Sequence, residues 1–213
     1  MKTVVILFIL IFLSGCSFKT PKNEWQYKSA NAFNSYTKNF LSSNDMLARN
    51  DLSRAVKHAK KSANLTQLAK IYLGECALNI ATGVENGCEK YANISNLLNN
   101  KELDSYYALM TDSIKKEQII YLPKDYRKYA LSIKKSDFKS ANKNILAMKN
   151  QTSMMVSSAL IKNKLSKKTR DEIIRIASFN GYKKVVLFWL QESLKSSNDE
   201  KIEKKIDILN NNL

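Results

Sequence analysis

Apolar positions recur along this chain at steps of three and four residues. Trp25, Ala32, Phe33, Tyr36 and Phe40 follow that spacing. Leu52, Ala55, Val56 and Ala59 continue it, as do Leu65, Leu68, Ala69, Tyr72, Leu73 and Cys76. Further on come Ile173, Ile174 and Ala177, then Val185, Val186, Phe188 and Trp189. This period places one apolar stripe on each of several helices. A last stripe, Ile202, Ile206 and Leu209, follows Ser197-Asn198-Asp199, a sequence suited to helix capping.

Helix breakers are few. Beyond residue 15 there remain Gly74, Gly83, Gly87, Gly181 and both prolines. Long helices joined by short turns are expected. Leu122-Pro123-Lys124-Asp125-Tyr126 is the clearest interior break, because proline cannot sit inside a helix and biases the residue before it to extended backbone. A helix is expected to start at Pro123. The break reads as a joint near 122–125 within one helical domain spanning 24–213. Residues 163–168 read as another turn, and Thr169-Arg170-Asp171-Glu172 as a capping box opening the next helix.

One short pattern recurs. Asn50-Asp51-Leu52-Ser53-Arg54-Ala55 is echoed by Ser136-Asp137-Phe138-Lys139-Ser140-Ala141 and by Asn180-Gly181-Tyr182-Lys183-Lys184-Val185. Asn86-Gly87-Cys88-Glu89-Lys90-Tyr91 is a weaker copy. The pattern resembles the turn between the two helices of a tetratricopeptide repeat. That resemblance implies an all-α, tetratricopeptide-like α-solenoid of antiparallel helix hairpins. The spacing is irregular and the first-helix signature is poor, so a non-repeating helical bundle stays open beside it.

The first residues read differently. Lys2 precedes an apolar run, Val4–Leu13, and then Ser14-Gly15-Cys16. At about 1.5 Å per residue this run reaches roughly half of a bilayer core, which suits a cleaved export signal rather than a transmembrane helix. Leu13-Ser14-Gly15-Cys16 resembles the lipobox of bacterial lipoproteins. The resemblance implies cleavage after residue 15 and lipidation of Cys16, with 16–23 as a tether. Several acyl chains on one residue make anchoring effectively permanent, since each buried CH₂ adds about 0.8 kcal/mol. Ser17, where Asp would favour the inner membrane, implies the periplasmic face of the outer membrane.

Composition narrows the classes that remain. The 213 residues hold 5 Gly, 2 Pro and 3 Cys. That excludes collagen-like chains, Gly/Pro-rich disorder and disulfide-framework miniproteins. Turn residues are too sparse for an all-β sandwich. Cys76 and Cys88 flank a turn, and in an exported chain they read as a disulfide, with two small buried hydrophobes as the alternative. Thr82-Gly83-Val84 followed by Glu89-Lys90-Tyr91 is similar to the loop of Sel1-like repeats, in which cysteines lock helix hairpins.

Candidate chemistry is thin. His58 is the single histidine and stands among lysines, which makes it a solvated residue rather than a base or ligand. There is no cluster of His and Cys for zinc or haem, no phosphate-cradling Gly-rich loop and no nucleophile elbow. No metal, no cofactor and no catalytic residue are expected. Gln191-Glu192-Ser193 shares the Glu-Ser pair of lytic transglycosylases without their accompanying motifs, so a glycan-active enzyme is the least favoured reading.

Charge is the feature that asks for a partner. The chain carries 35 Lys+Arg and 19 Asp+Glu, a net +16. Residues 64–125 hold 6 basic and 8 acidic side chains, whereas 126–213 hold 19 and 8. The segregation marks Arg127, Lys128, Lys134, Lys135, Lys167, Lys168, Lys183 and Lys184 as candidate contacts for an anion. Codon bias toward Lys and Asn is the competing cause. Tyr126-Arg127-Lys128-Tyr129 interleaves rings and cations as nucleic-acid sites do, but export argues against such a partner, and no nucleic acid is expected. Two functions are expected from different classes. One is a membrane-anchored scaffold gripping a protein partner of an envelope assembly, as in secretin pilotins and the helical lipoprotein subunit of the β-barrel assembly machine, which this layout resembles. The other is a lipoprotein that binds anionic lipid or cell-wall polymer through its basic C-terminal half.

Overall fold

The computed structural model describes residues 23–84, 87–195, 197 and 199–210. The lipobox, Cys16 and the tether up to residue 22 lie outside the described residues. So do Asn86 of the weak repeat copy and Asn198 of the last cap.

All regular structure among the described residues is helical. The helices are α1 (Glu24–Leu41), α2 (Asp45–Ala59), α3 (Thr66–Ala81), α4 (Glu89–Ser95) and α5 (Lys101–Met110). Then come α6 (Lys124–Lys134), α7 (Phe138–Leu146), α8 (Gln151–Leu160), α9 (Lys167–Phe179), α10 (Lys183–Leu194) and α11 (Glu200–Asn210). Short 3-10 segments cover Lys116–Tyr121 and Lys162–Lys164.

Four of the α-helices start on a side-chain cap. Asn100, Asp137, Asn150 and Ser166 occupy N-caps, and their side chains accept the backbone N–H three residues on. Pro123 sits at the N-cap of α6, so that helix opens at Lys124, as the proline implies. The cap of α9 is Ser166, three residues earlier than the capping box suggests. Thr169 is buried in the first turn, and its Oγ1 lies 2.8 Å from Ser166 Oγ. The serine wins because it stands where the backbone is still extended, and only there can its oxygen reach the free N–H.

The recurring turn pattern has mixed outcomes. Ser136-Asp137 and Asn180-Gly181 do form turns, with Ser136 and Gly181 at positive φ. Asn50-Asp51 does not. Both residues lie inside α2, and the α1–α2 reversal is made by Ser42-Ser43-Asn44, with Ser43 at φ 65°. Asp51 is buried there for a different purpose. It accepts from Asn39 Nδ2 at 2.7 Å and pairs with Arg54, fastening α2 to α1.

The core is organised around α3. Its buried Leu68, Ala69, Ile71, Leu73, Cys76, Ala77, Leu78 and Ala81 face several directions at once, the mark of a helix surrounded by others. It packs against α1, α2, α4 and α5, and also against α8, far along the chain. α1 in turn touches α10. α6 pairs with α7, and α10 with both α9 and α11. Trp189, Tyr91 and Tyr129 are the largest fully buried side chains. Buried Asn142 ties α7 to the start of α9, donating to the Lys164 carbonyl at 3.1 Å and accepting from the Ser166 N–H at 2.8 Å.

Cys76 on α3 and Cys88, just before α4, are joined in a disulfide, with Cα atoms 5.2 Å apart. The turn they close contains Gly83 at φ 77°, and a Cβ there would lie 2.3 Å from Phe188 of α10. Gly83→Ala is therefore expected to cost about 2–3 kcal/mol, from left-handed strain plus displacement of the ring. Urea unfolding of the variant checks this, and an unchanged midpoint would show that the turn is free to move.

Candidate functional site

Five lysines border one cleft between α6 and α7. Lys124, Lys128 and Leu131 recur at helical steps along α6, and Lys135 continues the line at its C-cap. At 1.5 Å per residue the stripe runs about 16 Å. Lys143 of α7 and Lys149, beyond its end, complete the opposite wall. Together they border a cleft of about 690 Å³. All five lysines are exposed. Among the described residues none of their ammonium groups forms a hydrogen bond or salt bridge.

The two walls are held by the protein's own polar stitches. Asn144 Nδ2 on α7 donates to Ser132 Oγ at 3.0 Å and to the Lys128 carbonyl at 3.2 Å on α6. Asp125 Oδ2 accepts the Asn150 N–H at 3.2 Å, fixing the start of α8 beside the start of α6. Ala147 and buried Met148 add apolar surface.

Two carboxylates share the cleft, Asp125 and Asp137. Hydrogen bonds from the Ser140 hydroxyl and N–H hold the Asp137 carboxyl below its ordinary range, helped by Lys139 and Lys135. Asp137 is thus engaged in capping α7 and Asp125 in holding α8. The cleft keeps an excess of three positive charges available to a ligand. Its chemistry is that of an anion-binding trough, with primary ammonium groups as adaptable point charges.

The residues marked by charge segregation divide in the fold. Lys128 and Lys135 stand in the cleft. Arg127 points its Nε–H at the Leu122 carbonyl, 2.7 Å away, and borders a neighbouring cleft. Lys134 is exposed at the end of α6. Lys167 and Lys168 lie in a separate depression with Arg175, and Lys167 is paired to Asp171 at 2.8 Å. Lys183 opens α10. Lys184 is neutralised by Asp45 at 2.6 Å and covers the Phe40 ring at 4.2 Å. Sequence reasoning missed Lys124, Lys143 and Lys149. The signal for Lys124 was its helical spacing from Lys128 and Lys135, obscured by grouping it with the acidic middle segment. Lys143 and Lys149 had no such signal, because α7 must fold back on α6 before they join.

The remaining candidates do not converge. His58 is partly buried beside Lys28 and Arg54, and partial burial, followed by the charges of Lys61, Lys28, Lys57 and Arg54, holds its pKa below the ordinary value. Glu192 pairs with Lys195 at 2.5 Å, and Ser193 donates to the Trp189 carbonyl at 2.7 Å. Among the described residues no group of three His, Cys, Asp or Glu side chains could hold a metal ion. No helix among them is long and apolar enough to cross a membrane. Comparison with protein families, with curated proteins and with solved structures finds no significant match.

Proposed function

We propose that this protein is a lipid-tethered, non-catalytic helical lipoprotein of the bacterial envelope that holds an anionic ligand in the α6–α7 cleft. The observation that carries the reading is the set of five lysines around one cleft, none of whose ammonium groups is held in a salt bridge among the described residues, against two carboxylates that are already hydrogen-bonded to backbone N–H groups. Cations not neutralised internally repel one another, so their convergence is best satisfied by an external anion. Codon bias accounts for lysine number but not for this convergence. The ligand is held by charge and shape; no bond is made or broken. Titration of the protein with oligogalacturonate at low and high salt tests the reading. Binding that weakens steeply with salt supports it, and absent or salt-independent binding rejects it.

The tether is a separate proposal, supported by the lipobox. Cys16→Ala is expected to move the protein from the membrane fraction to the soluble fraction and to abolish lipid labelling. A variant still membrane-bound and lipid-labelled would refute it.

The scaffold reading is second, and one surface favours it. The Lys184–Asp45 pair brings the α1–α2 and α9–α10 turns together at one end of the molecule. Around them Met46, Leu47 and Phe179 are exposed by 68%, 51% and 86%. Exposed apolar residues near one another suit a protein contact. A photo-crosslinker at position 179 that captures one envelope protein in vivo would support this; none captured would count against it. Hairpins such as α1–α2 and α6–α7 support the solenoid reading. The contacts α3–α8 and α1–α10 favour a closed bundle instead, because a linear stack touches only its neighbours.

A further inference from the structure

Beside the lysine cleft lies a second one, of about 630 Å³. It is bordered by Lys70 of α3, Glu102 and Tyr106 of α5, Tyr121 at the end of the 3-10 segment, and Tyr126 and Arg127 of α6, so its cations outnumber its single carboxylate. Lys124 borders both clefts, and so joins them. The joint is firm, since the Asp125–Asn150 hydrogen bond fixes the first turn of α6 to the start of α8 at that point.

The second cleft mixes rings with hydroxyls. Tyr106 and Tyr126 meet edge to face, with centroids 5.3 Å apart, and their hydroxyl oxygens are 3.2 Å apart. Tyr126 is buried and Tyr106 half-buried, and this burial pushes both phenols above their ordinary pKa. Tyr121 is partly exposed, with the Lys101 ammonium 5.5 Å from its ring centroid. Thr152 and Ser153 add hydroxyls, and Leu73, Leu103 and Leu122 add apolar surface.

We infer that the two clefts form one groove for a linear anionic glycan, with a sugar ring against Tyr121 and the charged substituents on the lysines. This rests on the anion-binding reading above. A sugar ring offers an apolar C–H face to an aromatic ring and hydroxyls around its edge, which is the mixture the second cleft presents. Polyphosphate matches the lysines but has no apolar face for the tyrosines. A planar bilayer cannot enter two concave clefts. An acidic peptide shares the charge and can bond the hydroxyls through its backbone, but it lacks the C–H face that a sugar ring lays on Tyr121.

The test is calorimetric titration of the full chain in detergent with three probes: an oligogalacturonate hexasaccharide, polyphosphate of equal charge, and hexaglutamate. Tyr121→Ala is expected to weaken hexasaccharide binding about tenfold and to leave the other two unchanged. Tyr121→Phe, which keeps the ring, should bind as the native protein does. Thr152→Trp fills the second cleft and leaves Lys128, Lys135, Lys143 and Lys149 of the first in place, so it should weaken hexasaccharide binding as Tyr121→Ala does. Hexasaccharide binding that is unaffected by both Tyr121→Ala and Thr152→Trp overturns the single groove but leaves the lysine cleft as an anion site. Hexaglutamate binding more tightly than the sugar, and with the same dependence on Tyr121, makes this a peptide site instead. No binding of any probe overturns the anion-binding reading, and this inference with it.

Discussion

Lys128→Glu with Lys143→Glu is expected to abolish anion binding while leaving the fold intact. Both side chains are exposed, they stand on opposite walls of the α6–α7 cleft, and neither is paired among the described residues. The double reversal changes the charge around the cleft by four units. At up to about 1 kcal/mol per charge near an anionic partner, the loss is as much as about 4 kcal/mol, roughly a thousandfold in affinity at low salt. It shrinks as salt rises, since the screening length falls from about 8 Å at 0.15 M to about 3 Å at 1 M. The control is Lys204→Glu with Lys205→Glu on α11, which makes the same change in net charge away from the cleft. Titration with oligogalacturonate should show near-native affinity for the α11 pair. Equal loss in both pairs would mean that net charge alone attracts the ligand and that the cleft is incidental.

The second large effect concerns stability. Cys76→Ser with Cys88→Ser is expected to lower unfolding free energy by about 3 kcal/mol, from the loop entropy that the crosslink removes from the unfolded chain. For a protein of this size that is a fall of about 6–12 °C in melting temperature. The consequence reaches beyond the loop. The closed turn sets Gly83 against Phe188, and Phe188 packs against buried Trp189 with ring centroids 4.7 Å apart. Opening the loop therefore loosens the seat of α10 as well. Differential scanning calorimetry of the double variant and of reduced native protein should give the same lowered midpoint. Thiol alkylation of unreduced native protein should modify neither cysteine. A melting point unchanged by reduction, or full labelling without reductant, would show that the bond does not contribute in solution.

Much of the local structure was legible in the residues. The apolar stripe from Trp25 to Phe40 becomes α1, and the stripe from Leu65 to Cys76 becomes the heart of α3. Pro123 marks the start of α6, and Asp137 caps α7. These features depend on neighbours within one or two turns, so a linear pattern records them. The misreadings share a cause. Asn50-Asp51 has the chemistry of a cap, yet it sits inside α2. The Asp51 carboxylate finds Asn39 and Arg54 there, and the reversal falls to Ser42-Ser43-Asn44. The first-turn position of Thr169 likewise resembled a cap until Ser166 took the N–H.

The sequence by itself determined that the chain is helical, where most helices begin, and that positive charge collects after residue 125. Helical period, capping chemistry and proline geometry are local, and they act whatever the rest of the chain does. Which helices become neighbours is decided by the fit of one buried face against another across many residues. Only the tertiary structure brought α3 against α8, placed Lys143 and Lys149 opposite the α6 stripe, and set the tyrosines of α5 and α6 beside it. The lysine cleft exists because Asn144 and Ser132 hold two basic helices together, and that contact spans a turn which the apolar pattern does not encode.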